Sequence, residues 1–184
     1  MILIETKTLA TTSASVVFSS IPQTYRDLVL MCYDSHDNLG MTNLMGYFNS
    51  DTSPASNYED MSYLWTNDDG ATPRSTVDAY GTGVPGFYIS EASGTGQPSP
   101  AFSNTEFKIY GYSDTTMYKP FTARGGFSSN STASYEFFTH FVGGIWRNNA
   151  AISSITLRAN VSASGGANNI LAGSRFSLYG IGQA

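Results

Sequence analysis

No segment of this chain longer than a few residues keeps an apolar stripe at helical spacing, whereas short apolar or alternating runs recur along it, each cut off by Gly, Pro, Ser or Asn. A surface helix needs apolar side chains about every 3.6 residues, and a half-buried strand needs them at every second residue. The pattern predicts an all-β chain. Strands are expected near 2–9, 14–18, 26–33, 43–48, 61–66, 85–89, 104–112, 117–126, 134–146, 152–159 and 174–181.

The alternation also divides each strand into two faces. In "SYEFFTHFVGGIW" it groups Tyr135, Phe137, Thr139 and Phe141 against Glu136, Phe138, His140 and Val142, and the first group is expected to face the core. In "NTEFKIYGY", Phe107 and Ile109 oppose Lys108 and Tyr110. In "RFSLYGI", Phe176, Leu178 and Gly180 oppose Ser177, Tyr179 and Ile181, and "ISSITL" sets Ile155 and Leu157 two apart. The pairs Gly125-Gly126 and Gly143-Gly144 adjoin strong strand patterns, where glycine suggests a bulge or a close backbone approach.

With 184 residues the chain suits one domain, taken as 1–184. Short strands with antiparallel turn chemistry predict two sheets packed face to face: an antiparallel β-sandwich, jelly-roll-like, with long loops. The stretch 67–103 is rich in Gly, Pro, Ser and Thr with one strand expected in its middle, and reads as a loop-rich excursion. Long excursions of this kind commonly carry contacts. Tyr80, Phe87 and Tyr88 are therefore expected to touch a partner.

Charged residues make up only 12%, about half of the usual share. Twenty-five Ser, 19 Thr and 12 Asn supply the surface polarity instead. The net charge of −5, with no cluster of basic residues, argues against a nucleic-acid partner. Cys32, alone in the apolar run "DLVLMCY", excludes a disulfide framework and reads as a small buried hydrophobe. "MILIETKTLA" reaches Glu5 and Lys7 after four apolar residues, too short for a signal core or a membrane span, so cytosolic synthesis without membrane insertion is expected.

The sequence carries no recognisable catalytic, cofactor or metal motif. His36 and His140 stand in no recognisable setting, and there is no GxSxG elbow, paired-histidine zinc helix or phosphate loop. Glycoside hydrolysis needs only two carboxylates brought together by the fold, so Glu91, Glu106, Asp60 and Asp78 stay open as candidates. Calcium would need loop oxygens, which Asp34, Asp37, Asn38, Asp51, Asp68 and Asp69 could supply, but Asp and Asn are also what turns select. The acceptor patterns at Asn130 and Asn160 read as chance in a chain so rich in Ser and Thr. Tyr25, Tyr47, Tyr63, Trp65, Tyr80, Tyr88 and Trp146 could stack on sugars if exposed, although most aromatics in a domain of this size belong to the core. "FNSDTSPASNY", 48–58, reads as a strand-ending connection, with Phe48 and Tyr58 anchoring it and Asn49 and Asp51 capping backbone groups.

Several segments in order resemble a group of small tailed-bacteriophage virion proteins and phage tail-associated modules. They are "IETKTLATTSASVVFSSIPQTYRDLVL", "GYFNSDTSPASNY", "NTEFKIYGY", "GGIWRNNAAISSITLRA" and "GSRFSLYGI", reaching from near residue 4 to 181 and leaving 67–103 as the variable part. The resemblance implies a non-enzymatic β-sandwich on the virion exterior, made in the host cytoplasm. It implies other virion proteins as partners (the major capsid protein or tail components), a homo-oligomer, and a capsid decoration or cement role. The alternative is a trimeric tail-fibre or head-fibre module that binds host-surface glycan. A chain without a helical or repetitive stem fits decoration better.

Overall fold

The structure, a computed structural model, describes residues 1–37, 42–52, 57–68, 72–79, 86–92, 102–128, 137–159 and 168–183. Among them run twelve strands: β1 (Ile2–Thr8), β2 (Ser15–Phe18), β3 (Asp27–Asp34), β4 (Thr42–Phe48), β5 (Tyr58–Asp68), β6 (Thr72–Ala79), β7 (Phe87–Ala92), β8 (Ser103–Ile109), β9 (Lys119–Ser128), β10 (Phe137–Trp146), β11 (Ile155–Ala159) and β12 (Arg175–Ile181). They form an eight-stranded sheet in the order β1-β12-β3-β8-β9-β10-β5-β6 and a four-stranded sheet in the order β2-β11-β4-β7. All the pairings are antiparallel.

The connectivity is that of a jelly roll carrying two insertions. Taking β1, β2, β3, β4, β7, β8, β11 and β12 as strands one to eight, one sheet reads one-eight-three-six and the other two-seven-four-five. That order is the double Greek key of the jelly roll. The pair β5–β6 is inserted between β4 and β7, and the pair β9–β10 between β8 and β11. Because β10 pairs with both β9 and β5, the two insertions join and widen the larger sheet by four strands. From the smaller sheet, β7 reaches across β8, β9, β10 and β5 and covers part of that extension.

The core between the sheets is aromatic. Phe48, Tyr58, Phe87, Phe107, Phe121 and Trp146 are each at most 2% exposed. Their ring centroids lie 4.5 Å apart for Phe48–Phe87, 4.9 Å for Phe87–Phe121 and 5.4 Å for Phe48–Trp146. Two glycines make room for these rings. A Cβ on Gly144 would lie 2.4 Å from Phe121 Cζ, and one on Gly46 would lie 2.8 Å from Phe87 Cζ.

The inward sets of β8, β11 and β12 are as the alternation predicts: Phe107, Ile109, Ile155, Leu157, Phe176 and Leu178 are all fully buried. On β10 the faces are reversed. Phe138, His140 and Val142 are buried, while Phe141 is 43% exposed. Alternation says which residues share a face, but the partner strands decide which face is inward. Phe141 pairs with Arg124 and Tyr63, both exposed, whereas Val142 pairs with the buried Ala123 and Ser62. The side chains of Tyr135, Glu136 and Phe137 lie outside the described residues.

The excursion at 67–103 contains a strand the alternation does not reveal. Within β6, "TPRSTVDA" has no apolar period and carries Pro73. Among the described residues it is the edge of the sheet, paired with β5, a position where proline is tolerated. Residues 69–71, 80–85 and 93–101 of the excursion lie outside the described residues.

Candidate binding face

The chemistry-bearing side chains named from the sequence divide between the interior and the outer surface of the larger sheet. Asp34, Ser35 and His36 are fully buried. Asp34 accepts a hydrogen bond from Ser103 Oγ at 3.1 Å, and His36 Nε2 lies 3.1 Å from Asp34 Oδ2, off the hydrogen-bonding direction. The carboxylate thus stands between the hydroxyl and the imidazole, the wrong order for a hydroxyl activated by a base. Cys32, 3% exposed, has its thiol pKa raised by burial and further by Asp34. Such a thiol is a weak nucleophile.

His140 faces inward beneath β7, and burial lowers its pKa to about 4. Its Nε2 lies 3.4 Å from Thr105 Oγ1 across β9, a contact that Gly125 permits because any Cβ there would stand 2.6 Å from that hydroxyl. Among the candidate carboxylates, Asp60 is buried and accepts the Tyr88 backbone N–H at 2.8 Å, whereas Glu106 points outward to Arg124 at 3.1 Å. These two lie on opposite faces of one sheet and cannot flank one bond. The side chains of Asp78 and Glu91 lie outside the described residues.

The loop after β4 is a clasp. Asn49 Oδ1 accepts the backbone N–H groups of Ser153 and Ser154, and its Nδ2 donates to Ala151 O at 2.8 Å. Asn49 and Ser50 adopt positive φ, which Asn tolerates better than most residues. Asp51 Oδ2 accepts both the Trp146 indole N–H and the Asn57 amide at 2.8 Å. Tyr58 accepts the Phe48 N–H and donates to Asp51 O. Asp37 is likewise tied to Asn169 through its backbone and side-chain N–H groups. Among the described residues no three His, Cys, Asp or Glu side chains gather as metal ligands. Asn38, Asp69, Asn130 and Asn160 lie outside the described residues, as does the side chain of Asp68.

Phe87 and Tyr88 are fully buried. The expected partner contacts through them do not fit that placement, because a side chain with no exposed surface holds the sheets together and meets nothing outside. Tyr80 lies outside the described residues. Of the aromatics named as a stacking surface, Trp146 is also core, Tyr25 lies over Gly180, and Tyr63 is 41% exposed.

Exposed functional groups gather instead on the outer face of the eight-stranded sheet. One row across the strands reads Thr8, Arg175, Tyr33, Asn104, Gly126 and Thr139; the next reads Thr6, Ser177, Met31, Glu106, Arg124, Phe141 and Tyr63. Depressions follow these rows. One of about 400 Å³ lies across β12, β3 and β8, with Met31, Tyr33, Glu106, Arg175, Ser177 and Tyr179 around it. A second adjoins it at Thr8, Gly173 and Arg175, and two others lie over Gly125–Gly126 and beside Phe141. The face is mixed: over β12, β3 and β8 the guanidinium, amide and hydroxyl groups stand beside the exposed Met31 and Tyr33, and over β5 and β10 lie the exposed Met61, Tyr63 and Phe141. Alternation gives the outward parity of Arg175, Asn104 and Tyr33 within each strand, but carries no signal that β12, β3 and β8 are neighbours.

No protein-family model, no curated protein and no solved structure matches the chain.

Proposed function

We propose that this chain is a non-enzymatic structural protein of the exterior of a tailed-bacteriophage particle, acting as a capsid decoration or cement protein through protein–protein contacts. The observation that supports this most is where the segments carrying the virion resemblance fall. They form β1, β2, β3, β8, β11, β12 and the strand ends around the Asn49–Asp51 clasp, so they specify a scaffold rather than a reactive site. The part of the outer face around Met61, Tyr63 and Phe141, on the inserted strands β5 and β10, is the surface for the neighbouring virion protein. Weak contacts of this kind become durable when repeated by symmetry over a shell.

The rival placement, a receptor-binding module of a tail or head fibre, differs in number. Mass spectrometry of purified particles is expected to find many copies per particle; a few copies would move the chain to the tail. Contacts built from Met61, Tyr63 and Phe141 depend little on ionic strength. Washing particles in moderate salt is therefore expected to leave the protein attached, and quantitative release would count against this mode of attachment.

A further inference from the structure

We propose that the depression where β12, β3 and β8 adjoin binds a carboxylate-bearing sugar ring, gripped by Arg175 and stacked on the aromatic surface of Tyr33. Arg175 is exposed, and its guanidinium has no hydrogen-bond or ion-pair partner among the described residues. By contrast Arg26, Arg124 and Arg147 face Asp27, Glu106 and Glu59. An uncommitted guanidinium fork matches a carboxylate through two parallel N–H···O bonds.

Directly across the strand pair stands Tyr33, whose ring is stacked on Phe102 at 4.5 Å and 5° between planes. That stack holds the tyrosine still while leaving it 41% exposed, so its surface is offered at little cost in side-chain freedom. Asn104, the partner of Tyr33 on the other side, adds an amide that can donate and accept, and Thr8 adds a hydroxyl beside Arg175. Phe102 also borders Gly173, which holds a positive φ.

The mixture selects the ligand class. Met31, 41% exposed, borders the same depression and adds an apolar contact beside the ring, amide, hydroxyl and guanidinium. A polyanion would meet Glu106 alongside and a chain of net charge −5. Glu106 is already compensated by Arg124, which leaves one cation for one carboxylate. A ring with an apolar C–H face, several hydroxyls and a single acid group satisfies every element of the site. The site lies over β12, β3 and β8, clear of Met61, Tyr63 and Phe141, and holds whether or not the chain decorates a capsid.

The test is an NMR titration of the full chain with three probes: a short oligogalacturonate, a sialylated trisaccharide, and a neutral galactose oligomer. Saturation by at least one acidic probe is expected, moving the amide signals of residues 33, 104 and 175, with the neutral oligomer binding at least about tenfold more weakly. Which acidic probe saturates tells a uronate from a sialic acid. Arg175→Gln is expected to remove about tenfold or more of the acidic affinity, Arg175→Lys to restore part of it, and Tyr33→Ala to weaken all probes. Thermal unfolding of the exposed Arg175 variants checks that the fold is intact. Absence of saturation by both acidic probes, equal binding of acidic and neutral probes, or acidic binding unaffected by Arg175→Gln would overturn the proposal.

Discussion

Gly143 and Gly144 adjoin in sequence and have opposite surroundings. Nothing lies within 4 Å of a Cβ built on Gly143, whereas one on Gly144 would meet Phe121 Cζ at 2.4 Å and the Glu59 carbonyl oxygen at 2.7 Å. Gly144→Ala is therefore expected to cost about 1 to 3 kcal/mol through forced displacement of the ring and the strand. Gly143→Ala should be neutral or stabilise by up to about 1 kcal/mol, because it restricts the unfolded chain. Equilibrium urea unfolding of both variants checks the contrast, and equal midpoints would refute it. His140 sets a pH dependence. Burial lowers its pKa from 6.5 to about 4, so between those values the unfolded chain binds a proton that the folded chain refuses. Stability is thus fully present above about pH 6.5 and falls as pH drops towards about 4, by about 3 kcal/mol from this group. His140→Gln is expected to lose that part of the acid-side slope while keeping the slope due to carboxylates. Matching pH profiles for the two proteins would contradict the assignment.

At the scale of elements, β10 illustrates what a sequence carries and what it leaves out. Its period is legible and its orientation is not, since both parities hold phenylalanine and only pairing with Ala123 on β9 and Ser62 on β5 turns Val142 inward. Polarity misleads here as well, because a histidine invites an outward placement and His140 is buried. Phe141→Ala is expected to change stability by less than about 1 kcal/mol, and Phe138→Ala, on the inward parity and stacked 5.6 Å from Phe127, to cost about 3 to 5 kcal/mol. Denaturant midpoints that ranked the two the other way would restore the opposite orientation. The clasp after β4 was readable because Asn, Asp and Pro have local reasons to sit in turns. Its distant acceptors and donors, Ala151, Ser153 and Trp146, were not, since they arrive from about a hundred residues downstream. The edge strand β6 left no signal because "TPRSTVDA" holds a proline and no apolar period from which a strand could be read.

At the scale of the molecule, the absence of helical periodicity was enough to predict an antiparallel sandwich, and the order of the strands makes it a jelly roll. The joining of β9–β10 with β5–β6 was hidden, because pairing between two insertions is a long-range event that no local pattern encodes. Yet that joining creates the broad outer face, with Met61, Tyr63 and Phe141 exposed over β5 and β10 and Arg175, Asn104, Met31 and Tyr33 over β12, β3 and β8. On the proposed placement, the part of this face around Met61, Tyr63 and Phe141 would meet a neighbouring virion protein while the part over β12, β3 and β8 stays open. Hydroxyl-radical footprinting of the protein, free and on the particle, tests it directly, since methionine and aromatic side chains are oxidised where solvent reaches them. Met61, Tyr63 and Phe141, which are 46%, 41% and 43% exposed in the free subunit, should be protected on the particle. Tyr33, together with Met117 and Tyr118 between β8 and β9, should be labelled equally in both states. Unchanged labelling of Met61, Tyr63 and Phe141, with protection confined to Met117 and Tyr118, would contradict the account.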